Sequence, residues 1–302
     1  MGNVVIMKKA YLFPGQGSQF VGMAKELSES HPEAKKRFEE ANDILGLDLA
    51  SIMFEGPESK LKQTEFTQPA IFVHSVVRYQ TLDIDKPDMV AGHSLGEFSA
   101  LVANGAISFE DGLKLVRKRG QLMQEAGIKN PGAMAAVIGM DDDKVAEICE
   151  DASEKTALVV IPANFNCPGQ VVISGNDEAV DEAIELMKKA GCRMAKKLPV
   201  SGAFHSPLMR PALNGLESQL ESTSFKNPEF PVYANVDGKP TTDAETIKEN
   251  LRKQLLNAVQ WTKTLENMHA DGAGEFVEIG PGKVLQGLVK RTLKKVEING
   301  YQ

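Results

Sequence analysis

The stretch MVAGHSLGE, residues 89–97, constrains the fold of this chain more than any other. A short apolar run enters Gly92-His93-Ser94-Leu95-Gly96, and the helical pattern that follows stops at Gly105. The five residues fit G-x-S-x-G, a sharp strand-to-helix turn that lifts a serine hydroxyl out of a sheet. Glycines flank the serine because side chains there would collide in so tight a turn. A strand that must turn at once into a helix calls for an α/β sheet. Five loosely specified positions also arise by chance, so two readings stand: a nucleophilic Ser94, or a glycine-rich turn with a capping serine.

The rest of the chain supports an α/β class, with short apolar runs alternating with helical patterns. Residues 10–13 read as a strand entering a glycine-rich loop, with helices over about 20–44, 68–82 and 109–126. Between about 130 and 200 the order becomes strand, helix, strand, strand, helix, strand. That βαββαβ order is the ferredoxin-like split pattern. The expected architecture is therefore a hydrolase-like parallel-sheet core, residues 1–128 and 202–302, with a ferredoxin-like insert over 129–201. After the insert come helix 207–222, strand PVYANV, helix 243–256, strand EFVEIG and a last helix from about 283.

Composition narrows the function classes. Among 302 residues, 42% are hydrophobic and 25% charged, as in an ordinary globular protein. A net charge of −7 argues against a general nucleic-acid binder. Cys149, Cys167 and Cys192 are odd in number and lack metal-ligand spacing, so they read as reduced packing residues and no metal is expected. The short apolar run before Lys8 and Lys9 does not have the form of a secretory leader. No segment reaches the ~20 apolar residues of a membrane span. A cytoplasmic protein follows as the expectation.

A serine hydroxyl needs a base to act near neutral pH. Of five histidines, His31 precedes a proline in a solvated turn, and His74 lies in apolar AIFVHSVV as a satisfied core residue. His93 adjoins Ser94, where neighbouring side chains diverge, and His269 closes a helix. His205, in VSGAFHSPLM on the loop leaving the insert, is the candidate general base and then general acid. On helix 109–126, Arg119 falls on the stripe Gly112, Leu115, Arg119, Leu122, Ala126, the one charge on an apolar line. A buried guanidinium calls for an anion. That anion is either an internal Asp or Glu, or a carboxylate supplied by the substrate and gripped through two parallel hydrogen bonds.

FPGQGSQ (13–19), GHSLGE (92–97), RGQLMQEA (119–126), NFNCPGQVVISG (164–175), AFHSPLM (203–209), QLLNAVQWT (254–262) and GPGKVL (280–285) follow one another in order. Together they closely resemble the malonyl-CoA:acyl carrier protein transacylase family of bacterial fatty acid synthesis, over nearly the whole chain. The resemblance implies a malonyl ester on Ser94, proton shuttling by His205, and a malonyl carboxylate held by Arg119. It also implies an oxyanion hole from the backbone N–H groups of Gln16 and Leu95. Gln254 would hold His205 through its carbonyl, and Gln68 and Asn166 would shape the pocket. Malonyl-CoA would be the substrate and acyl carrier protein the partner, with no bound cofactor, since the carrier brings its own phosphopantetheine. A monomer is expected.

Two positions depart from the commonest family pattern. Phe204 stands before His205 where serine is frequent, a version that resembles malonyl-selective acyltransferase domains of polyketide synthases and disfavours an α-methyl branch. Cys167 replaces a usual serine, a conservative change. The loop at 15–20 has Phe20 where a dinucleotide fingerprint needs glycine, and GPGKV lacks phosphate-loop spacing. A serine esterase or thioesterase is the competing class, and Arg119 discriminates, because a neutral acyl pocket has no use for a carboxylate clamp. A catalytically silent carrier-binding scaffold is the third reading. For docking an acidic carrier, residues 289–295, Lys188 with Lys189, and Lys196 with Lys197 are the candidate basic surfaces.

Overall fold

The computed structural model describes residues 7–302. The apolar run at residues 1–6, from which no leader is expected, lies outside the described residues. The first part of the chain runs β1 (Lys8–Phe13), α1 (Lys25–Ser30), α2 (Pro32–Leu45), α3 (Leu49–Glu55), α4 (Glu58–Leu61) and α5 (Thr64–Thr81). It continues with β2 (Met89–Gly92), α6 (Gly96–Ala103) and α7 (Phe109–Lys129). The middle part is β3 (Ala133–Ile138), α8 (Asp142–Thr156), β4 (Val160–Cys167), β5 (Gln170–Gly175), α9 (Asp177–Lys189) and β6 (Met194–Lys197). A 3-10 turn (Pro207–Met209) leads into α10 (Arg210–Ser222), β7 (Val232–Tyr233), β8 (Pro240–Thr241) and α11 (Ala244–Gln254). Then follow α12 (Trp261–Ala270), β9 (Ala273–Ile279), α13 (Val284–Thr292) and β10 (Glu297–Tyr301).

The molecule is a mixed α/β structure with two separate sheets. The larger has the strand order β10-β9-β1-β2-β7-β8, parallel throughout except for the β7–β8 pair. The smaller, β4-β5-β3-β6, is wholly antiparallel. The parallel strands are nearly continuous apolar runs because helices cover both faces. One face packs on α5, α6, α7 and α10 through residues such as Phe13, Phe72, Phe98 and Leu115. The other packs on α12 and α13 through Leu12, Trp261, Phe276 and Leu288. A third cluster, including Val137, Ile148, Ile173 and Met187, joins the antiparallel sheet to α8 and α9. Each fully buried large apolar side chain contributes about 1.5–3 kcal/mol, so these three clusters carry most of the folding free energy.

The helix expected over 20–44 is two helices, broken at His31. Pro32 pushes the preceding residue into extended backbone, and then serves as the first residue of α2, where no N–H is needed. The helices α3 and α4, strand β10 and the two-residue β8 are not evident from periodicity, because they are short or lie at a sheet edge. Helix α5 begins four residues earlier than its apolar pattern, and carries Pro69 inside it. Proline cannot bond the carbonyl four residues back, that of Glu65, and the Arg117 guanidinium donates to that oxygen instead.

Strand register sets up the site. Phe13 at the end of β1 lies opposite Gly92 at the end of β2. The two following loops, 14–18 and 93–95, are therefore neighbours at the carboxyl edge of the sheet, where α/β sheets place ligands. Among the described residues, no helix is long and apolar enough to cross a membrane.

Candidate active site

The turn after β2 has the strained geometry that G-x-S-x-G demands. Ser94 has φ 50°, in the left-handed region. A Cβ on Gly92 would overlap the Gly96 carbonyl, and one on Gly96 would overlap the Phe13 carbonyl. Such a backbone persists only where its surroundings hold it. Here Asn235, just past β7, does so: its Oδ1 accepts the Ser94 N–H at 2.6 Å and its Nδ2 donates to the Gly92 carbonyl at 2.7 Å.

His205 reaches Ser94 from the segment between the two sheets. Its own φ of 57° is a second left-handed non-glycine backbone at the same spot. Ser94 Oγ and His205 Nε2 are 2.7 Å apart, and His205 Nδ1 is 2.9 Å from the Gln254 carbonyl oxygen. A carbonyl only accepts, so Nδ1 carries the proton and Nε2 is free to take one from the serine. Burial, followed by the positive charge of Arg119, pushes the imidazole down to about 3. Among the described residues no carboxylate touches the ring, which makes the pair a dyad oriented by a backbone carbonyl.

Arg119, from the middle of α7, is 1% exposed and faces this pair. Its Nη1 donates to Gln68 Oε1 at 2.8 Å; its Nη2 donates to Gln254 Oε1 at 3.0 Å and to Ser94 Oγ at 3.1 Å. Of the two anions expected for it, the internal Asp or Glu is not in direct contact among the described residues: amides and a hydroxyl are its partners, and its Nε has none. Burial lowers the guanidinium to about 10, with Glu97 pulling the other way. Arg119 thus remains a cation with unspent hydrogen-bonding capacity beside the serine.

Ser94, His205 and Arg119 open on a cavity of about 270 Å³, which Gln68 and Gln254 do not line but reach through Arg119. Gln16, Leu95 and Asn166 line it, together with Met134 and Val172 from the antiparallel sheet and Val284 and Leu285 from the start of α13. The backbone N–H groups of Gln16 and Leu95 bond to no other group among the described residues. Asn166 Oδ1 lies 2.8 Å from His93 Nε2, and the His93 ring packs edge-on against Trp261. His93 therefore turns away from Ser94. Gln68 Nε2 rests against the Met123 sulfur while its oxygen holds Arg119.

Of the other histidines, His269 closes α12 and bonds the Ala273 carbonyl, and His31 is exposed at the start of α2. His74 is buried, but neither ring nitrogen has a partner among the described residues, so it is not the satisfied core histidine expected; burial pushes it down to about 3. The three cysteines are free thiols, and Cys167 Sγ lies 3.7 Å from Gln170 Oε1.

Two site residues escaped the sequence reading, Asn235 and Glu97. Glu97 is 2% exposed on a helix whose other residues are apolar or small. Glu97 is the one charge on α6, as Arg119 is the one charge on its apolar stripe of α7. Asn235 carries no comparable local signal.

A strained serine elbow, a buried histidine and a cavity roofed by a second sheet are the parts of an acyl-transfer centre. The chain belongs to the acyl transferase domain family, whose model matches residues 10–301, and it is an acyltransferase. It is 48% identical over 285 residues to the malonyl CoA-acyl carrier protein transacylase of Escherichia coli (strain K12), covering 93% of this chain and 92% of that protein. The crystal structure of an acyl carrier protein S-malonyltransferase from Vibrio cholerae superposes with a TM-score of 0.93 at 46% identity, covering 98% of this chain and 97% of the other. A malonyl-transacylase solved in complex with its type II PKS acyl-carrier protein gives 0.92 at 43% identity, covering 97% and 94%.

Proposed function

We propose that this chain moves a malonyl group from malonyl-CoA to the phosphopantetheine thiol of acyl carrier protein, in two half-reactions through a malonyl ester on Ser94. Ser94 Oγ attacks the thioester carbonyl while His205 Nε2 takes its proton. The N–H groups of Gln16 and Leu95 receive the developing oxyanion. The CoA sulfur leaves and takes the proton from His205. The carrier thiol then gives its proton to the same nitrogen and attacks the ester, restoring Ser94 as it takes it back. Throughout, Arg119 holds the malonyl carboxylate, and Gln254, Gln68 and Asn166 keep the pocket in shape. No bound cofactor enters this scheme.

One observation carries the reading: Arg119 is a fully buried cation with no carboxylate in direct contact among the described residues, 3.1 Å from the Ser94 hydroxyl oxygen. An esterase acting on neutral acyl groups gains nothing from it. The strand order β4-β5-β3-β6, covered by α8 and α9, supports reading residues 129–201 as a ferredoxin-like insert in a hydrolase-like core of 1–128 and 202–302. For carrier docking we favour α13 and the turn after it, where Lys290, Arg291, Lys294 and Lys295 are exposed on the helix that begins at the cavity mouth. By contrast Lys188 pairs with Glu185, and Lys197 pairs with Asp177 and Asp181. The reading is of a cytoplasmic monomer.

The test is incubation with malonyl-CoA, with and without phosphopantetheinylated carrier, read by intact-protein mass. A malonyl adduct that is stable alone and discharged when carrier is added is expected, with no adduct in Ser94→Ala. Discharge to water at the same rate without carrier would make the protein a hydrolase, and an adduct on Ser94→Ala would remove the serine from its role.

A further inference from the structure

Behind the clamp lies a buried carboxyl group, Glu97, which burial pushes up to about 7 while its hydrogen bonds from Gln254 and Asn235 and the nearby Arg119 favour the anion. Glu97, in the first turn of α6, accepts from Gln254 Nε2 at 2.8 Å and from the Asn235 N–H at 3.1 Å, both on Oε2. The same Gln254 amide gives its oxygen to Arg119 at 3.0 Å and a second Nε2 hydrogen bond to the Ser94 carbonyl at 3.0 Å. Only one orientation of an amide serves these neighbours, with oxygen toward the guanidinium and nitrogen toward the carboxylate. The guanidinium donates only, and the Ser94 carbonyl and the Glu97 carboxylate oxygen accept, so all three hold the amide in this orientation. Asn235, which takes the Ser94 N–H, is tied to the same carboxylate through its own backbone. The Glu97 carboxylate thus reaches the serine through two routes and the arginine through one without touching either side chain, while its backbone N–H donates to the Ser94 carbonyl at 3.2 Å.

We propose that Glu97 is a positioning residue for Arg119, acting through the Gln254 amide as a spacer that aims the guanidinium and balances its charge without occupying it. A buried guanidinium with no anion nearby is costly, which argues for a compensating carboxylate close at hand. A carboxylate in direct contact would take the paired N–H groups that an incoming acyl carboxylate needs. One amide between them meets both demands, since attraction between unit charges persists across such a gap in a desolvated site. Discrimination for carboxylated acyl groups would then depend on a residue that never meets the substrate. The inference rests on malonyl being the acyl group carried.

The experiment compares kcat/KM for malonyl and acetyl loading from their CoA thioesters in wild type, Glu97→Gln and Glu97→Asp, with melting temperature measured for each. Glu97→Gln removes the anion while keeping a side-chain oxygen that can accept from Gln254 Nε2. Malonyl loading is expected to fall by about tenfold to a hundredfold, the worth of a charge-assisted hydrogen bond, and acetyl loading by a clearly smaller factor. Glu97→Asp keeps the anion but withdraws it from the amide, so the malonyl-to-acetyl ratio should fall by a smaller amount, about threefold to tenfold. A merely structural role would lower the melting temperature or both rates together and leave the ratio unmoved. An unmoved ratio in folded Glu97→Gln overturns the proposal; if that variant does not accumulate as folded protein, an unmoved ratio in Glu97→Asp does so. A wild-type enzyme with no preference for malonyl over acetyl would instead overturn the malonyl assignment itself.

Discussion

Arg119→Ala separates the two acyl groups that this site can be offered. In the wild type, the guanidinium is 1% exposed and makes three hydrogen bonds, to Gln68, Gln254 and Ser94. Removing one member of a desolvated guanidinium–carboxylate pair costs about 3–5 kcal/mol, so malonyl-enzyme formation should fall by about a hundredfold to several thousandfold. Acetyl offers no carboxylate, and for it two smaller effects oppose each other. The hydrogen bond to Ser94 Oγ is lost, worth about 1 kcal/mol. Arg119 Nη2 and His205 Nε2 share that oxygen at 3.1 and 2.7 Å. They therefore lie within about 6 Å, where two unit positive charges repel by about 3 kcal/mol at an effective dielectric of about 20. Taking Arg119 away relieves the imidazolium that forms during attack. Acetyl-enzyme formation should accordingly stay within about tenfold of wild type, or rise. Rapid quenching followed by intact-protein mass measures both rates on one preparation. Equal losses for malonyl and acetyl would refute the clamp and leave Arg119 as a structural cation.

Two further outcomes follow from the same geometry. Burial and then Arg119 hold His205 near 3, so the neutral imidazole that acts as base is present until the pH falls toward that value. Acetyl loading, which does not call on the clamp, should stay level between about pH 8 and pH 5, with no inflection at the ordinary imidazole value of about 6.5; a half-maximal rate there would refute the assignment. Charge reversal at Lys290 and Lys294 should raise the KM for carrier by about tenfold, at about 0.5–1 kcal/mol per contact, and flatten its salt dependence. Retained carrier KM and salt dependence in both variants would move docking elsewhere.

Much of the fold was legible because it rests on local pattern. The strand–elbow–helix at 89–103 and the strand and helix order of 133–197 follow from periodicity and glycine placement, and the structure has them within a few residues. What periodicity missed is short or marginal: the one-turn helix α4, and β10, a half-exposed edge strand whose apolar alternation is weak. The break at His31 was signalled by Pro32 but outweighed by the helical run on either side.

The site divides along similar lines. The chain by itself determined the elbow at Ser94, because that turn is a local steric requirement written in two glycines, and it marked Arg119 as a candidate, because one charge on an apolar helix face is a local anomaly. Tertiary structure alone decided what Arg119 meets. It gave it two amides and a hydroxyl where an internal carboxylate was an equal expectation, and put Glu97 one residue further off behind Gln254. It also recruited Asn235, 141 positions from Ser94, to hold the elbow. Those partners, 25 to 157 residues apart in the chain, are set by strand register and helix packing, and hydrogen bonds of such span leave no periodic trace in sequence. Local sterics and hydropathy are legible in a chain; the pairing of buried polar groups is settled only when the sheets and helices come together.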